Sequence, residues 1–183
     1  LDGRSAAADG TSRWITGHAA RHDVHARRAR CGAVLVGTGT ALADDPHLTV
    51  RDADGRPAAR QPLRVVMGHR TLPEHAHLLD GQAPTLRLDT HDPHEALAAL
   101  HERGVRHVWL EGGPTLAAVF LRAGLVDEVV AYLAPALLGA GPSAVADLGV
   151  ATIRDRLRFT PIDVATVGID VRLVLRPTTQ EEP

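Results

Sequence analysis

Lysine is absent from this sequence: all 20 basic residues among its 183 are arginine. No side chain can therefore form a Schiff base or serve as a shifted-pKa amine. Cysteine occurs once, at Cys31, which excludes an internal disulfide and a multi-cysteine zinc site. Aromatic residues make up 3%, too few for a base-stacking platform, and the formal net charge of −2 offers no basic face for nucleic acid. No apolar run approaches the roughly 20 residues that span a bilayer. The opening "LDGRSAAADGTSRW" has no apolar core of a signal peptide. The expectation is a cytoplasmic protein of one domain, with no nucleic-acid partner, no membrane partner and no metal.

What is present is a set of short β-branched runs, "AVLV" (33–36), "LRVVM" (63–67), "VRHVWL" (105–110), "DEVVAYLA" (127–134) and "DVRLVL" (170–175), each bounded by Gly, Pro or Asp. They read as strands. Helices alternate with them. Residues 18–30 follow Thr16, an expected N-cap, and stop before Gly32; in residues 91–104 Asp92 caps, Pro93 takes the first helical position and Gly104 ends the helix. Residues 114–124 repeat this grammar from Pro114 to Gly124. Strands separated by helices imply a largely parallel sheet, whereas residues 160–176 read as two strands around Gly168, an antiparallel hairpin. The expected fold is a three-layer α/β domain, a mixed and mostly parallel sheet flanked by helices. Residues 51–62 and 68–84 read as loops long enough for ligand contacts.

Two segments carry chemistry. In "VWLEGGPTL" a strand ends, two glycines follow and a helix opens at Pro114. Backbone N–H groups at such a helix start make a site for phosphate oxygens, and the same motif serves equally as a ligand-free turn. It is not the G-x-G-x-x-G fingerprint. Glu111 stands at the end of a parallel strand, where ligands bind in open α/β sheets, or else makes a structural ion pair. In "GTGTALADDPHLTVR" (37–51), Thr38, Thr40, Asp44 and Asp45 cluster after another strand. Adjacent aspartates point apart, so one is expected to meet a polar ligand and the other to cap the turn before Pro46. Arg27, Arg28, Arg30, Arg51 and Arg70 flank the same edge and suit a phosphorylated ligand, against the ordinary reading of solvated surface arginines. Of the 11 histidines, His18, His22 and His25 share a helix face, expected to be solvated because no acidic or cysteine partner accompanies them.

These blocks in this order, above all "LADDPxLTVR" and "EGGPTLxxxFLxxGLVDE", resemble the reductase domain of the bacterial riboflavin-biosynthesis deaminase/reductase over nearly the whole chain. The resemblance implies a dihydrofolate-reductase-like fold that uses NADPH to reduce a phosphoribosyl pyrimidine, 5-amino-6-(5-phosphoribosylamino)uracil. Hydride would reach ribose C1′ of a ring-opened, imine-like form. It places substrate contacts on Ser12, Arg28, Leu48, Arg51 and Glu111, with Ser12, Arg28 and Arg51 on phosphate or ribose and Glu111 on the pyrimidine. Cofactor contacts fall on Trp14, Thr40, Asp44 and residues 113–119, including Gly113, Pro114, Thr115 and Leu116. Asp44 is the expected catalytic group.

His69 and Arg70 stand in "GHR" where the family has an Asp-Ser-Arg type sequence that meets the adenosine 2′-phosphate. Arg70 would supply the charge that prefers NADPH. The family's first strand, with a substrate-contacting lysine, would precede Leu1. The zinc motif of the deaminase cannot be built from one cysteine, so residues 1–183 are expected to be a single reductase domain. The family also implies a homodimer, to which residues 127–139 contribute. Two other readings stay open: a dihydrofolate or related diaminopyrimidine reductase, and a non-catalytic NADP-binding homologue.

Overall fold

The computed structural model describes residues 1–51 and 55–178. Of the loop expected over 51–62, residues 52–54 lie outside the described residues. The order is α1 (His18–Arg28), β1 (Ala33–Gly37), α2 (Thr38–Asp44), β2 (Leu63–Met67), β3 (Thr85–Leu88), α3 (Pro93–Glu102), β4 (Val108–Leu110), α4 (Pro114–Arg122), β5 (Val129–Leu133), β6 (Phe159–Val167) and β7 (Asp170–Pro177). Short 3₁₀ turns lie at His77–Leu79 and Ile153–Asp155.

The mixed α/β expectation holds, with the two kinds of pairing in separate sheets. Strands β3-β2-β1-β4 form a parallel sheet, and β5-β7-β6 an antiparallel one. In the parallel sheet Ala33 pairs with Leu63 on one side and with Val108 on the other. β1 and, apart from Arg64, β2 are apolar because both their faces are covered. Val34, Val36 and Val66 pack with Ala41, Leu48, Leu72, Ala76 and Leu78 on one face. Ala33, Leu35, Val65 and Met67 pack with Ala96 and Leu100 of α3 and Phe120 of α4 on the other. This is the period-2 alternation of a strand, and each Val or Leu so buried contributes about 1.5–3 kcal/mol.

Four local expectations change. Thr16 does not cap α1; Gly17 does, and its N–H donates to Asp170 Oδ2 at 2.7 Å, so a fully buried carboxylate from β7 anchors the helix start. Residues 38–44, expected as an irregular polar stretch, form α2, and residues 85–88 form the unexpected edge strand β3. The segment 68–84 also plugs into the core, burying its own Leu72, Ala76 and Leu78. Arg64 of β2, fully buried, holds it by donating to the His77 carbonyl (3.0 Å), Asp80 Oδ1 (3.0 Å) and the Ala83 carbonyl (2.6 Å). Elsewhere the helix grammar stands, since Asp92 Oδ1 accepts the His94 N–H at 2.8 Å and Pro93 opens α3.

The C-terminal hairpin turns at Gly168 as expected, with Val167 paired to Asp170. Glycine is required there: φ is +65°, and an added Cβ would lie 2.9 Å from Ala19 Cβ. β6 is an edge strand, which accommodates Pro161 and the register shift beside it.

Candidate functional site

The chain runs β1, β2, β3 outward to one side and then returns to place β4 on the other side of β1. The point between β1 and β4 is thus where the order of the parallel sheet reverses, and ligands bind beyond the carboxyl ends of the strands at such a point. β1 leads directly into α2 there, and β4 into Glu111, Gly112, Gly113 and α4. The two chemistry-bearing segments meet: the Gly113 N–H donates to Thr40 Oγ1 at 3.1 Å. Beside them opens a cleft of about 470 Å³, lined by Thr40, Asp44 and Leu48, by Trp109 and Glu111 to Gly113, by Val24 and Arg28 of α1, and by Val130 and Tyr132 of β5.

The adjacent aspartates divide their work. Asp44 is exposed at the cleft, whereas both carboxylate oxygens of Asp45 are taken by His77, Oδ1 accepting its N–H at 2.9 Å and Oδ2 facing Nδ1 at 3.0 Å. Asp45 therefore caps the 3₁₀ turn rather than its own turn. Asp45 and Leu48 both adopt left-handed backbone, φ +41° and +50°. Held strain of this kind concentrates at ligand sites, and here it turns the buried Leu48 side chain into the cleft wall.

Arg28 and Glu111 form a forked pair, Nε to Oε1 and Nη2 to Oε2. Arg28 Nη1 also reaches the Thr49 carbonyl at 3.3 Å, and Trp109 Nε1–H donates to Glu111 Oε1. Beside the pair, His25 is half-buried rather than solvated. Burial first, then the Arg28 charge, pushes its pKa down, so it stays neutral at pH 7. Burial and the Glu111 carboxylate push the Cys31 thiol up, away from reactive thiolate.

The α4 start presents the N–H groups of a first helical turn with no acidic residue in it, and Thr115 is exposed there. Gly112 is needed for the approach of Leu116, since an added Cβ would lie 2.6 Å from that side chain. At the end of β2, Arg70 Nε donates to Thr38 Oγ1 at 3.4 Å, so Arg70 borders the start of α2. His69 is exposed, its Nδ1 2.5 Å from Asp89 Oδ1 and its ring stacked on His91.

The remaining predicted residues lie outside the cleft lining. Ser12 and Trp14 are exposed on the N-terminal segment, which reaches the cleft through Arg13, whose Nη2 donates to the Asp44 carbonyl at 3.2 Å. The Trp14 ring carries the Arg21 guanidinium 4.2 Å from its centroid. Arg51 is exposed and donates to the Gly55 carbonyl at 3.0 Å.

Tyr132 and Trp109 escaped sequence reasoning. The signals were there: Trp109 sits two residues before Glu111, hence on its face, and a lone tyrosine in an apolar strand needs a partner for its hydroxyl. That hydroxyl donates to Asp23 Oδ2 at 2.5 Å.

Residues 1–173 match the family described as the RibD C-terminal domain. Over 175 residues the chain is 54% identical to the riboflavin biosynthesis protein RibD of Mycobacterium tuberculosis, covering 96% of this chain and 51% of that one. Its fold superposes on Acinetobacter baumannii RibD with a TM-score of 0.89 at 35% identity, covering 98% of this chain and 56% of that one. A deaminase/5-amino-6-(5-phosphoribosylamino)uracil reductase from Thermotoga maritima gives a TM-score of 0.85 at 26% identity, covering 97% and 54%. The chain spans about half the length of the relatives it matches. It belongs to the RibD C-terminal domain family.

Proposed function

We propose that the protein reduces 5-amino-6-(5-phosphoribosylamino)uracil to its ribitylamino product with NADPH in riboflavin biosynthesis. The observation that supports this most is the meeting of the Asp44 segment with the diglycine start of α4 around one cleft at the switch point of the sheet. The residues fit a dinucleotide: a helix start free of acidic residues suits its phosphates, and Arg70 suits a 2′-phosphate. NADPH, when bound, supplies the hydride.

The chain's own part is orientation and charge. Trp109 and Tyr132 give the cleft flat apolar walls for a heterocycle, and Glu111 accepts from its ring N–H groups. Arg28, with Arg51 and Ser12 from the rim, takes the phosphate or ribose. In the opened sugar, hydride adds to C1′ and the neighbouring nitrogen takes a proton. Asp44, exposed to the cleft, hydrogen-bonds the sugar hydroxyls or assists that protonation. Substrate and cofactor of this kind place the reaction in the cytoplasm. The exposed apolar residues Val164 (62%) and Ile169 (72%) of the C-terminal hairpin suit self-association as a homodimer, which sedimentation would test.

The direct test follows NADPH oxidation with the phosphoribosylaminouracil and with dihydrofolate. Turnover is expected with the first alone. Preference for dihydrofolate, or NADPH binding without turnover of either, would overturn the reading. Asp44→Asn is expected to lower kcat roughly 100-fold, the scale of a lost acid–base group.

A further inference from the structure

The two charges assigned above to opposite ends of one ligand are bonded to each other. Arg28 and Glu111 share two parallel hydrogen bonds, and their side chains are only 15% and 22% exposed. At that burial, water is a poor substitute for either partner, so neither charge separates readily by itself. Each partner is also tethered from outside the pair, Arg28 by the Thr49 carbonyl and Glu111 by Trp109. Separation would leave both side chains oriented. His25, neutral and with its buried Nδ1 lacking a partner among the described residues, is no stand-in cation for Glu111. Arg51, the other cation near His25, is exposed and turned to Gly55.

This arrangement treats partial ligands differently from whole ones. An oxyanion alone, by drawing Arg28 away, would leave the Glu111 carboxylate unpaired and repelling it. A heterocycle alone would have to compete with a forked guanidinium for Glu111. A molecule that carries both can satisfy both halves at once. We propose that the Arg28–Glu111 pair is an exchange lock, which makes the cleft selective for ligands that join an oxyanion to an N–H-bearing heterocycle and rejects fragments bearing either one. The lock rests on the proposed function for the identity of the ligand, and it disfavours free sugar phosphates and free pyrimidines because each would leave one of the two charges unpaired.

Calorimetric titration tests it with three probes: the phosphoribitylaminouracil product, ribose 5-phosphate and 5,6-diaminouracil. The wild-type protein is expected to bind the product at least about 100-fold tighter than either fragment, the scale of two charge-assisted hydrogen bonds. In Glu111→Gln, Arg28 is released, and ribose 5-phosphate is expected to bind about tenfold tighter while the product binds more weakly. In Arg28→Gln the reciprocal gain, again about tenfold, falls on diaminouracil. Two variants approach the lock from opposite sides, so misfolding of one leaves the other decisive. Fragment affinities that fail to rise in either folded variant overturn the lock while leaving the proposed function standing. A wild-type protein that binds none of the three probes overturns the proposed function, and the lock with it.

Discussion

Glu111 lines the cleft and Asp23 bonds the hydroxyl of Tyr132, which also lines it, and the two carboxylates are held in different ways. Glu111 has two donors, Arg28 and Trp109, and both line the cleft. Asp23 Oδ2 takes three, from Tyr132 at 2.5 Å, Arg172 at 2.9 Å and Arg27 at 3.2 Å, and Arg172 runs on to Asp163 at 2.7 Å. That net joins α1 to β5, β7 and β6, so it fastens the antiparallel sheet to the helix whose next turn carries Arg28. Burial works to raise the Asp23 pKa, and the hydrogen bonds from Tyr132, Arg172 and Arg27 outweigh it, leaving the carboxyl at about 2. Burial and Asp23 together push Tyr132 up to about 12. A charge held by a net of scaffold groups serves the fold, whereas a charge whose donors themselves line the cleft is open to exchange.

The comparison breaks if the two carboxylates respond alike to removal. Glu111→Gln should carry the largest effect, a loss of roughly 100-fold or more in kcat/KM with Tm changed by no more than a few degrees. Asp23→Asn should do the opposite. Its kcat/KM is expected to stay within about threefold, while loss of charged hydrogen bonds costs about 1–3 kcal/mol, a fall in Tm of roughly 2–12 °C for a chain of this length. Because the folded Asp23 pKa is depressed from 3.8 to about 2, its stabilisation is present above 3.8 and is lost as pH falls toward 2. Acid unfolding of the wild type should therefore steepen in that window, and Asp23→Asn should flatten it. Arg70→Ala, remote from both carboxylates, is expected to lower the NADPH/NADH ratio of kcat/KM about tenfold while leaving the acid profile unchanged.

Legibility in the sequence followed the range of the interactions concerned. α3 was readable because its cap, Asp92, lies within the helix's own first turn. The start of α1 was not, because the Gly17 N–H is met by Asp170, far along the chain on β7. α2 is too short for an amphipathic repeat, has no side-chain cap, and stands by packing Thr38 and Ala41 into the core. The plug over residues 68–84 was hidden for a similar reason, since a buried arginine bonding backbone carbonyls leaves no apolar period to see. At the site, the diglycine turn and the threonine and aspartate cluster were visible as separate motifs, and Arg28 and Glu111 were visible as separate residues at the ligand edge, Glu111 with an ion pair of unnamed partner as its other reading. Their pairing joins α1 to the end of β4, and no spacing rule reaches that far.

The finest test concerns Tyr132, which belongs to both regions: its ring lines the cleft and its hydroxyl joins the Asp23 net. Tyr132→Phe keeps the wall and removes one of three donors from Asp23. The remaining arginine contacts still hold the carboxylate below its usual value, but less far, so the loss of stability on acidification should still begin near 3.8 but be smaller and end at a slightly higher pH. The expected cost is about 1 kcal/mol, with kcat/KM within about twofold of the wild type. Tyr132→Leu removes the flat wall as well and should raise KM further than the phenylalanine variant does. If Tyr132→Phe slowed turnover more than it lowered Tm, the phenol would be acting on the ligand, and the line between exchangeable and fastened charge would have to be drawn through Tyr132 itself.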